Sequence, residues 1–293
     1  MKVLIIGGEG YVGSYLFRYL QNLNVDVQCY GNRRVDYNNL GRIYLQQFTH
    51  IVLLAGHSSV QCCDGPLLSP WKNNVRNFKN LVDKIESNQT IIYASSASVY
   101  GDKDTNRFYT EDEISSEYVN NYDLTKVSLD LLAMKLMNEG HNLVGLRFGT
   151  VNGGSSIIRR DLMINSMVWS ALNTGTITVT NKHVKRPILS IRDLAKAVHT
   201  ILVNNVKKDI YNLASFNSTV GEIASIVREF THADIIDKGT TCTYNFAIDT
   251  TKFKHLHGFT YDDNVHSVVD NVIDCYKSKN PIIVARSEYF QYD

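Results

Sequence analysis

The chain has 293 residues, of which 44% are hydrophobic and 20% charged, the composition of an ordinary globular protein with interior for one large or two modest domains. A net charge of +1 gives no bulk electrostatic case for nucleic acid or an anionic membrane, and no run approaches the ~18 apolar residues of a membrane span. Five cysteines include the adjacent Cys62 and Cys63, but no Cys-x-x-Cys or Cys/His spacing suits zinc, so free thiols and no metal are expected. The chain opens on a strand, with no arginine-rich or long apolar leader, and a cytoplasmic location is expected.

Lys2 to Ile6 is an almost wholly apolar run, as suits a strand buried on both faces of a parallel sheet. It leads into Gly7-Gly8-Glu9-Gly10-Tyr11-Val12-Gly13, with Val12, Leu16 and Leu20 at helical spacing. Glycines at 7, 10 and 13 suit a tight strand-to-helix turn whose backbone approaches a pyrophosphate at a helix N-terminus. Strand, glycines and helix together point to a nucleotide site. Asp26 to Tyr30 reads as a second strand and runs into Gly31-Asn32-Arg33-Arg34. An acidic residue near this point would hold the 2′-hydroxyl of an NAD ribose. No carboxylate stands between Tyr30 and Asp36, and two guanidinium groups suited to a 2′-phosphate take its place; a solvated basic loop is the alternative.

Ile51 to Gly56 is a third buried strand, followed by His57. An amphipathic helix is predicted from Trp71 to Ile85. Thr90 to Ala94 is a fourth strand, ending on Ser95-Ser96-Ala97-Ser98, where the C-terminal edge of a parallel sheet binds ligands. Residues 102–121 read as a polar loop over the site. The helix from Tyr122 runs to Gly140, and Leu143 to Phe148 is a fifth strand. Beyond Asn152-Gly153-Gly154 the alternation weakens. Helices are predicted over Asp161–Leu172, Asp193–Val203 and Val265–Tyr276, and strands at Ile177–Val179, Ile188–Ser190, Ile210–Leu213 and Tyr244–Ile248. Glu222 is placed to cap a further helix opening at Ser218 to Gly221.

Tyr122 and Lys126 lie four residues apart, on one face of their helix. A phenol titrates near ~10, and a nearby cation favours its ionised form. Such a pair can move a proton on or off a sugar hydroxyl while a hydride moves elsewhere. Tyr-x-x-x-Lys alone also fits a half-buried tyrosine beside a solvated lysine. The glycine turn and the serines upstream, in that order, single it out.

Taken together, these motifs resemble the nucleotide-sugar epimerase/dehydratase family of extended short-chain dehydrogenases/reductases. The resemblance spans nearly the whole chain. It rests on residues 7–13, Leu54-Ala55-Gly56-His57, Asn74 to Leu81, Ser95 to Gly101, Tyr122 to Lys126, Leu146 to Val151 and Arg186 to Ala195. It implies a Rossmann-type, doubly wound α/β sheet with a smaller α/β C-terminal substrate domain. The dinucleotide part would take residues 1–154 and 190–215, and the nucleotide-sugar part residues 155–189 and 216–293. Tyr122 would be the acid/base, Lys126 would hold the nicotinamide ribose, and Ser96 would bond the reacting oxygen. Gly7, Gly10, Tyr11, Val12, Asn32, Arg33, Arg34, Leu54, Ala55, Gly56, His57 and Asn74 would line the cofactor. Ser98, Thr150, Asn165 and Arg186 would meet the nucleotide-diphosphate sugar, Arg186 at the diphosphate. The resemblance also implies a homodimer that pairs the Tyr122 helix with the helix from Trp71.

Dehydrating members carry Asp and Glu directly after the catalytic hydroxyl, where this chain has Ala97 and Ser98. Neither is a useful acid/base at neutral pH. Hydride chemistry at one carbon, C4, without elimination is therefore expected. Thr150 stands where many epimerases have Asn. Arg33 and Arg34 favour NADP(H), with NAD the alternative, and so put a 4-ketoreductase ahead of a 4-epimerase that retains NAD. A catalytically idle dinucleotide-binding protein is the third reading.

Overall fold

A computed structural model describes residues 1–31, 36–101, 107–115, 120–204, 206, 208–278 and 280–284. Its centre is a six-stranded sheet. Strand β1 (Lys2–Ile6) lies between β2 (Asp26–Tyr30) and β3 (His50–Leu53). Next to β3 comes β4 (Thr90–Ser96), then Asn142–Phe148, then Asp209–Leu213 at the far edge. Every pairing is parallel. The apolar residues alternate between the two faces. Leu4, Ile6, Ile51, Leu53, Ile91 and Tyr93 pack on one side, against helices Asn77–Val82 and Asn121–Asn138. Val3, Ile5, Val52, Ile92, Val144 and Leu146 pack on the other, against α1 (Tyr11–Asn22) and Ile191–Val203. A sheet covered on both faces is the α/β architecture expected, and each such side chain contributes roughly 1.5–3 kcal/mol by leaving water.

A further apolar cluster joins helices Met163–Thr174, Val220–Thr231 and Val265–Ser278 to the strand pair Thr176–Val179 and Asp234–Asp237. Thr219 and Glu222 form the anticipated capping box. Thr150–Asn152, Lys185–Ser190 and Phe216–Thr219 make a small sheet. No helix among the described residues is long and apolar enough to cross a membrane.

Several elements differ from expectation, among them strand Phe108–Tyr109, which pairs with Ala247–Ile248 inside the stretch read as a loop over 102–121. Strand β3 stops at Leu53, because the N–H groups of Leu54 and Ala55 both turn to the Ile6 carbonyl, at 2.9 and 3.0 Å. The helix predicted from Trp71 starts at Leu68 and is interrupted by a π turn over Lys72–Arg76. Both Asn74 and Asn77 are buried there. The tail strand is only Ala247–Ile248, because Thr243 and Asn245 bond Arg186 and Lys185 instead of a ladder. Helix Thr251–His257 and strand Asp234–Asp237 carry too little periodicity to read from sequence.

The Tyr122 helix meets the sheet through an ion pair with no exposure at either side chain. Arg147 Nε donates to Asp130 Oδ2 at 2.8 Å. Arg147 Nη1 donates to the Tyr100 hydroxyl at 2.8 Å and to the carbonyls of Glu111 and Glu113 at 2.9 and 3.2 Å. Tyr93 donates to Asp130 Oδ1 at 3.2 Å. Removing one partner strands the other charge, at a cost of about 3–5 kcal/mol. Arg147→Leu should lower stability by that amount, read from the urea midpoint at unchanged m-value. The double variant Arg147→Leu/Asp130→Leu should recover part of it. A loss below about 1 kcal/mol for the single variant would contradict this account.

Candidate active site

The strand order reverses at β1, which has β2 on one side and β3 on the other. Open α/β sheets bind ligands at the carboxyl ends of strands beside such a point. There the Gly7 turn faces the chain leaving β3. Gly7 has φ +93°, its N–H donates to the Tyr30 carbonyl at 3.0 Å, and a Cβ on it would stand 2.7 Å from Ala55 N. A Cβ on Gly13 would stand 2.2 Å from the Gly7 carbonyl oxygen. Only glycine lets helix, turn and strand approach this closely. No side chain caps the N-terminus of α1, and its first turn holds no acidic residue. That leaves an anion site, and the turn fits a dinucleotide pyrophosphate.

Gly10 and Val12 sit at this helix end. Tyr11 shares its backbone position, but its side chain points away. The Tyr11 hydroxyl donates to the Gly153 carbonyl at 2.7 Å and accepts from Asn165 Nδ2 at 3.3 Å. Asn165 is fully buried. Its Oδ1 accepts the Gly153 N–H at 3.1 Å, and its Nδ2 also reaches the Arg159 carbonyl at 3.0 Å. Asn165 therefore ties the glycine turn to the second cluster.

The chemistry-bearing residues gather on β4 and the Tyr122 helix. Asn120 caps that helix, its Oδ1 accepting the Asp123 N–H at 3.0 Å. Lys126 is buried and donates from Nζ to the Ala94 carbonyl at 2.9 Å, two residues before Ser96. The same ammonium lies 5.8 Å from the centre of the Tyr122 ring. Tyr122 and Ser96 are half-buried. Ser96 Oγ accepts the Ser98 N–H at 3.1 Å and opens the turn after the strand. Ser98 Oγ is buried without a hydrogen-bond partner among the described residues. Such a hydroxyl is costly unless a ligand completes it.

Asn74 connects the two halves of the crevice. Its Oδ1 accepts the His57 N–H at 2.8 Å, and its Nδ2 donates to the His57 carbonyl at 3.1 Å and to Thr125 Oγ1 at 3.0 Å. Thr125 in turn donates to the Tyr122 carbonyl at 2.8 Å. Gly56 has room for no side chain, since a Cβ would lie 2.8 Å from Asn74 Oδ1. So the Leu54 to His57 segment is held to the helix that carries Tyr122.

Across the crevice, Arg186 is half-buried on strand Lys185–Ser190, and Thr150 lies on the adjoining strand, paired with Ile188. Arg186 lines a cavity of about 280 Å³ with Met163, Met167, Thr178, Thr180 and Val184. Its Nη2 donates to Thr243 Oγ1 at 2.6 Å, and its guanidinium stands 5.6 Å from the Tyr244 ring centre. The sequence assigns no site role to Tyr244, Asp123 or Thr125. Nothing local marks Tyr244; Asp123 and Thr125 lie inside the Tyr-x-x-x-Lys motif but outside its pattern. Asn32, Arg33 and Arg34 lie outside the described residues. Among the described residues no group of three or more His, Cys, Asp or Glu is placed to hold a metal.

The sequence profile of the NAD dependent epimerase/dehydratase family matches residues 3–214, and the chain belongs to that family. A relative described as ADP-L-glycero-D-manno-heptose-6-epimerase, from Brachyspira hyodysenteriae, is 26% identical over 259 residues, covering 78% of this chain and 80% of its own. The UDP-glucuronic acid 4-epimerase of Bacillus cereus, solved with UDP-glucuronic acid and NAD, superposes with a TM-score of 0.81 at 19% identity, covering 94% of this chain and 99% of its own. RMD from Pseudomonas aeruginosa, solved with NADPH, gives 0.80 at 17% identity, covering 95% and 100%. The structural likenesses establish the shared fold, with either dinucleotide bound in the two neighbours.

Asn74→Ala should leave the His57 N–H without its buried acceptor, costing about 1–3 kcal/mol. It should also speed amide exchange over residues 56–60 before the sheet opens. Exchange there equal to wild type would show that Asn74 does not hold the segment.

Proposed function

We propose that the protein modifies a nucleotide-diphosphate sugar by hydride transfer at C4 of the hexose, with 4-keto reduction ahead of 4-epimerisation. The observation that carries this reading is Lys126, which is buried, donates to the Ala94 carbonyl two residues before Ser96 and lies 5.8 Å from the centre of the Tyr122 ring. A dinucleotide held at the glycine turn would supply the hydride. Tyr122 gives its proton to the C4 oxygen as that oxygen gains charge. The Lys126 ammonium stabilises the phenolate left behind, as an adjacent cation does. Ser96 bonds the same oxygen and orients it. Arg186 holds the diphosphate in a charge-assisted pair, with the nucleoside in the adjoining cavity. Asn74 and His57 shape the cofactor side; Thr150 and Ser98 face the sugar. Ala97 and Ser98 offer no group for elimination. Residues 1–154 with 190–215 make the dinucleotide part, and residues 155–189 with 216–293 the sugar part.

The names of the relatives support a sugar-nucleotide substrate. The lead of the reductase rests on Arg33 and Arg34. The second reading, a 4-epimerase that retains NAD, draws support from the NAD and UDP-glucuronic acid bound to the Bacillus cereus neighbour. Assaying UDP-, dTDP-, GDP- and CDP-sugars and their 4-keto forms, while following NADPH and NADH absorbance, separates the two. Keto-sugar-dependent consumption of NADPH, lost in Arg33→Ala/Arg34→Ala, supports the reductase. NAD that copurifies, with interconversion of epimers and no net cofactor change, moves the lead to the epimerase. Dinucleotide binding without turnover of any sugar means an idle binder.

Tyr122→Phe should slow the chemical step by ~10²–10⁴-fold with substrate binding little changed. Retention of more than about half the activity, with chemistry rate-limiting, would remove Tyr122 from the role.

We further propose that two copies pair through the Tyr122 helix and the helix opening at Leu68. Leu131 and Met134 are 53% and 46% exposed on the first, and Leu68 is 76% exposed on the second. Exposed apolar residues on neighbouring helices suit a self-complementary interface. Light scattering at micromolar concentration should give twice the chain mass; Leu131→Glu/Met134→Glu should give one. A monomeric wild type would contradict the pairing.

A further inference from the structure

The segment Thr243-Tyr244-Asn245 spans from the cavity rim to the first turn of the Tyr122 helix. On the cavity side Asn245 Oδ1 accepts the Lys185 N–H at 2.9 Å, and Thr243 Oγ1 accepts from Arg186 at 2.6 Å. The Arg186 guanidinium lies against the Tyr244 ring, 5.6 Å from its centre. On the helix side the Tyr244 hydroxyl donates to Asp123 Oδ2 at 2.6 Å. Asp123 is 1% exposed, and the same oxygen accepts from Asn120 Nδ2 at 3.1 Å. Asn120 also bonds the Tyr244 hydroxyl, and the Tyr244 ring meets Phe246 edge-on, 6.3 Å between centres. The phenol is thus fixed at both ends. Burial, then the bond to Asp123, push its titration well above the ordinary range, so it stays protonated and donating.

We propose that Tyr244 is a positioning residue, transmitting the arrival of a diphosphate at Arg186 through Asp123 to the turn that carries Tyr122. The proposal rests on the reading that Arg186 holds the diphosphate. A phosphate that recruits the guanidinium fixes the cation against the Tyr244 face. A fixed ring fixes its hydroxyl, and the hydroxyl holds a carboxylate at the third residue of the helix. Asp123 is adjacent to Tyr122 in sequence, so ordering that turn orders the base of the acid/base side chain. Binding at one site then improves order at the other with little change of shape, which is coupling through conformational entropy.

Amide hydrogen exchange tests this, on protein loaded with whichever of NADPH and NADH it binds, with inorganic pyrophosphate as the probe. In wild type, pyrophosphate should slow exchange about threefold or more over residues 121–125, as well as over residues 185–188. Tyr244→Phe keeps the ring beneath Arg186 and deletes only the hydroxyl. It should retain the protection over 185–188 and lose the added protection over 121–125. Asp123→Ala cuts the same bond from the other side and should behave alike, which covers a failure of either variant to fold. A Tyr244 that merely stabilises the fold would alter basal exchange and leave the pyrophosphate-dependent increment in place. An undiminished increment in Tyr244→Phe would therefore overturn the proposal while leaving Arg186 in its role. No protection around Arg186 in wild type would overturn the diphosphate assignment, and the proposal with it.

Discussion

The structure depends on how the Tyr122 helix turns charge inward. Tyr122, Lys126 and Asp130 follow one another at four-residue intervals on one face, and both charged members are buried. An uncompensated ion in such a place costs several kcal/mol. Each has a partner on the sheet: Lys126 on the Ala94 carbonyl, Asp130 on Arg147 and Tyr93. These bonds are directional, where apolar packing alone tolerates sliding. They lock the helix in register against β4 and its neighbour, and the register decides where Tyr122 stands relative to Ser96. One electrostatic requirement thus secures both the helix and the site.

The site's place follows from topology and its rigidity from side chains that do no chemistry. Chain reversal at β1 leaves a crevice, and the glycines let its walls come close. Asn74 ties one wall to the Tyr122 helix, while Tyr11 and Asn165 tie the glycine turn to Gly153. Each is buried, and each spends most of its hydrogen-bonding capacity on backbone groups that leave regular structure at the crevice. Loops that end strands must find partners for such groups. Asparagine, with a donor and an acceptor on one short side chain, can serve two segments at once.

The parts legible in sequence were those with a local signature. The β1–turn–α1 unit, the six sheet strands and the Tyr122 helix show themselves through apolar runs, glycine spacing and helical period, and the family profile agrees with the motifs that singled them out. The site's supporting residues have no such signature. Arg147 reads as one charge inside an apolar strand, and its partner Asp130 as one polar position on a helix. Tyr244 lies 121 residues from Asp123 in the chain. Contacts of that kind are made by tertiary folding and leave no period behind. The π turn at Lys72–Arg76 was hidden for another reason: one extra residue in a turn shifts which side chains face inward without altering composition.

The electrostatics around Tyr122 depend on the same contacts. Its neighbours along the helix are a carboxylate at 123 and an ammonium at 126, and they act on a phenol in opposite senses. The ammonium favours the phenolate. A bare carboxylate in the adjoining position would oppose it, more strongly for being buried. Asp123 is not bare: it accepts from Asn120 and from Tyr244, and it lies in the first turn, where the helix dipole favours negative charge. Donors and dipole hold that charge toward the helix end and the Tyr244 hydroxyl. Lys126, held on the Ala94 carbonyl, is the cation beside the Tyr122 ring. The Asp123 carboxylate is thus held at the helix end by Asn120 and Tyr244, one residue from Tyr122.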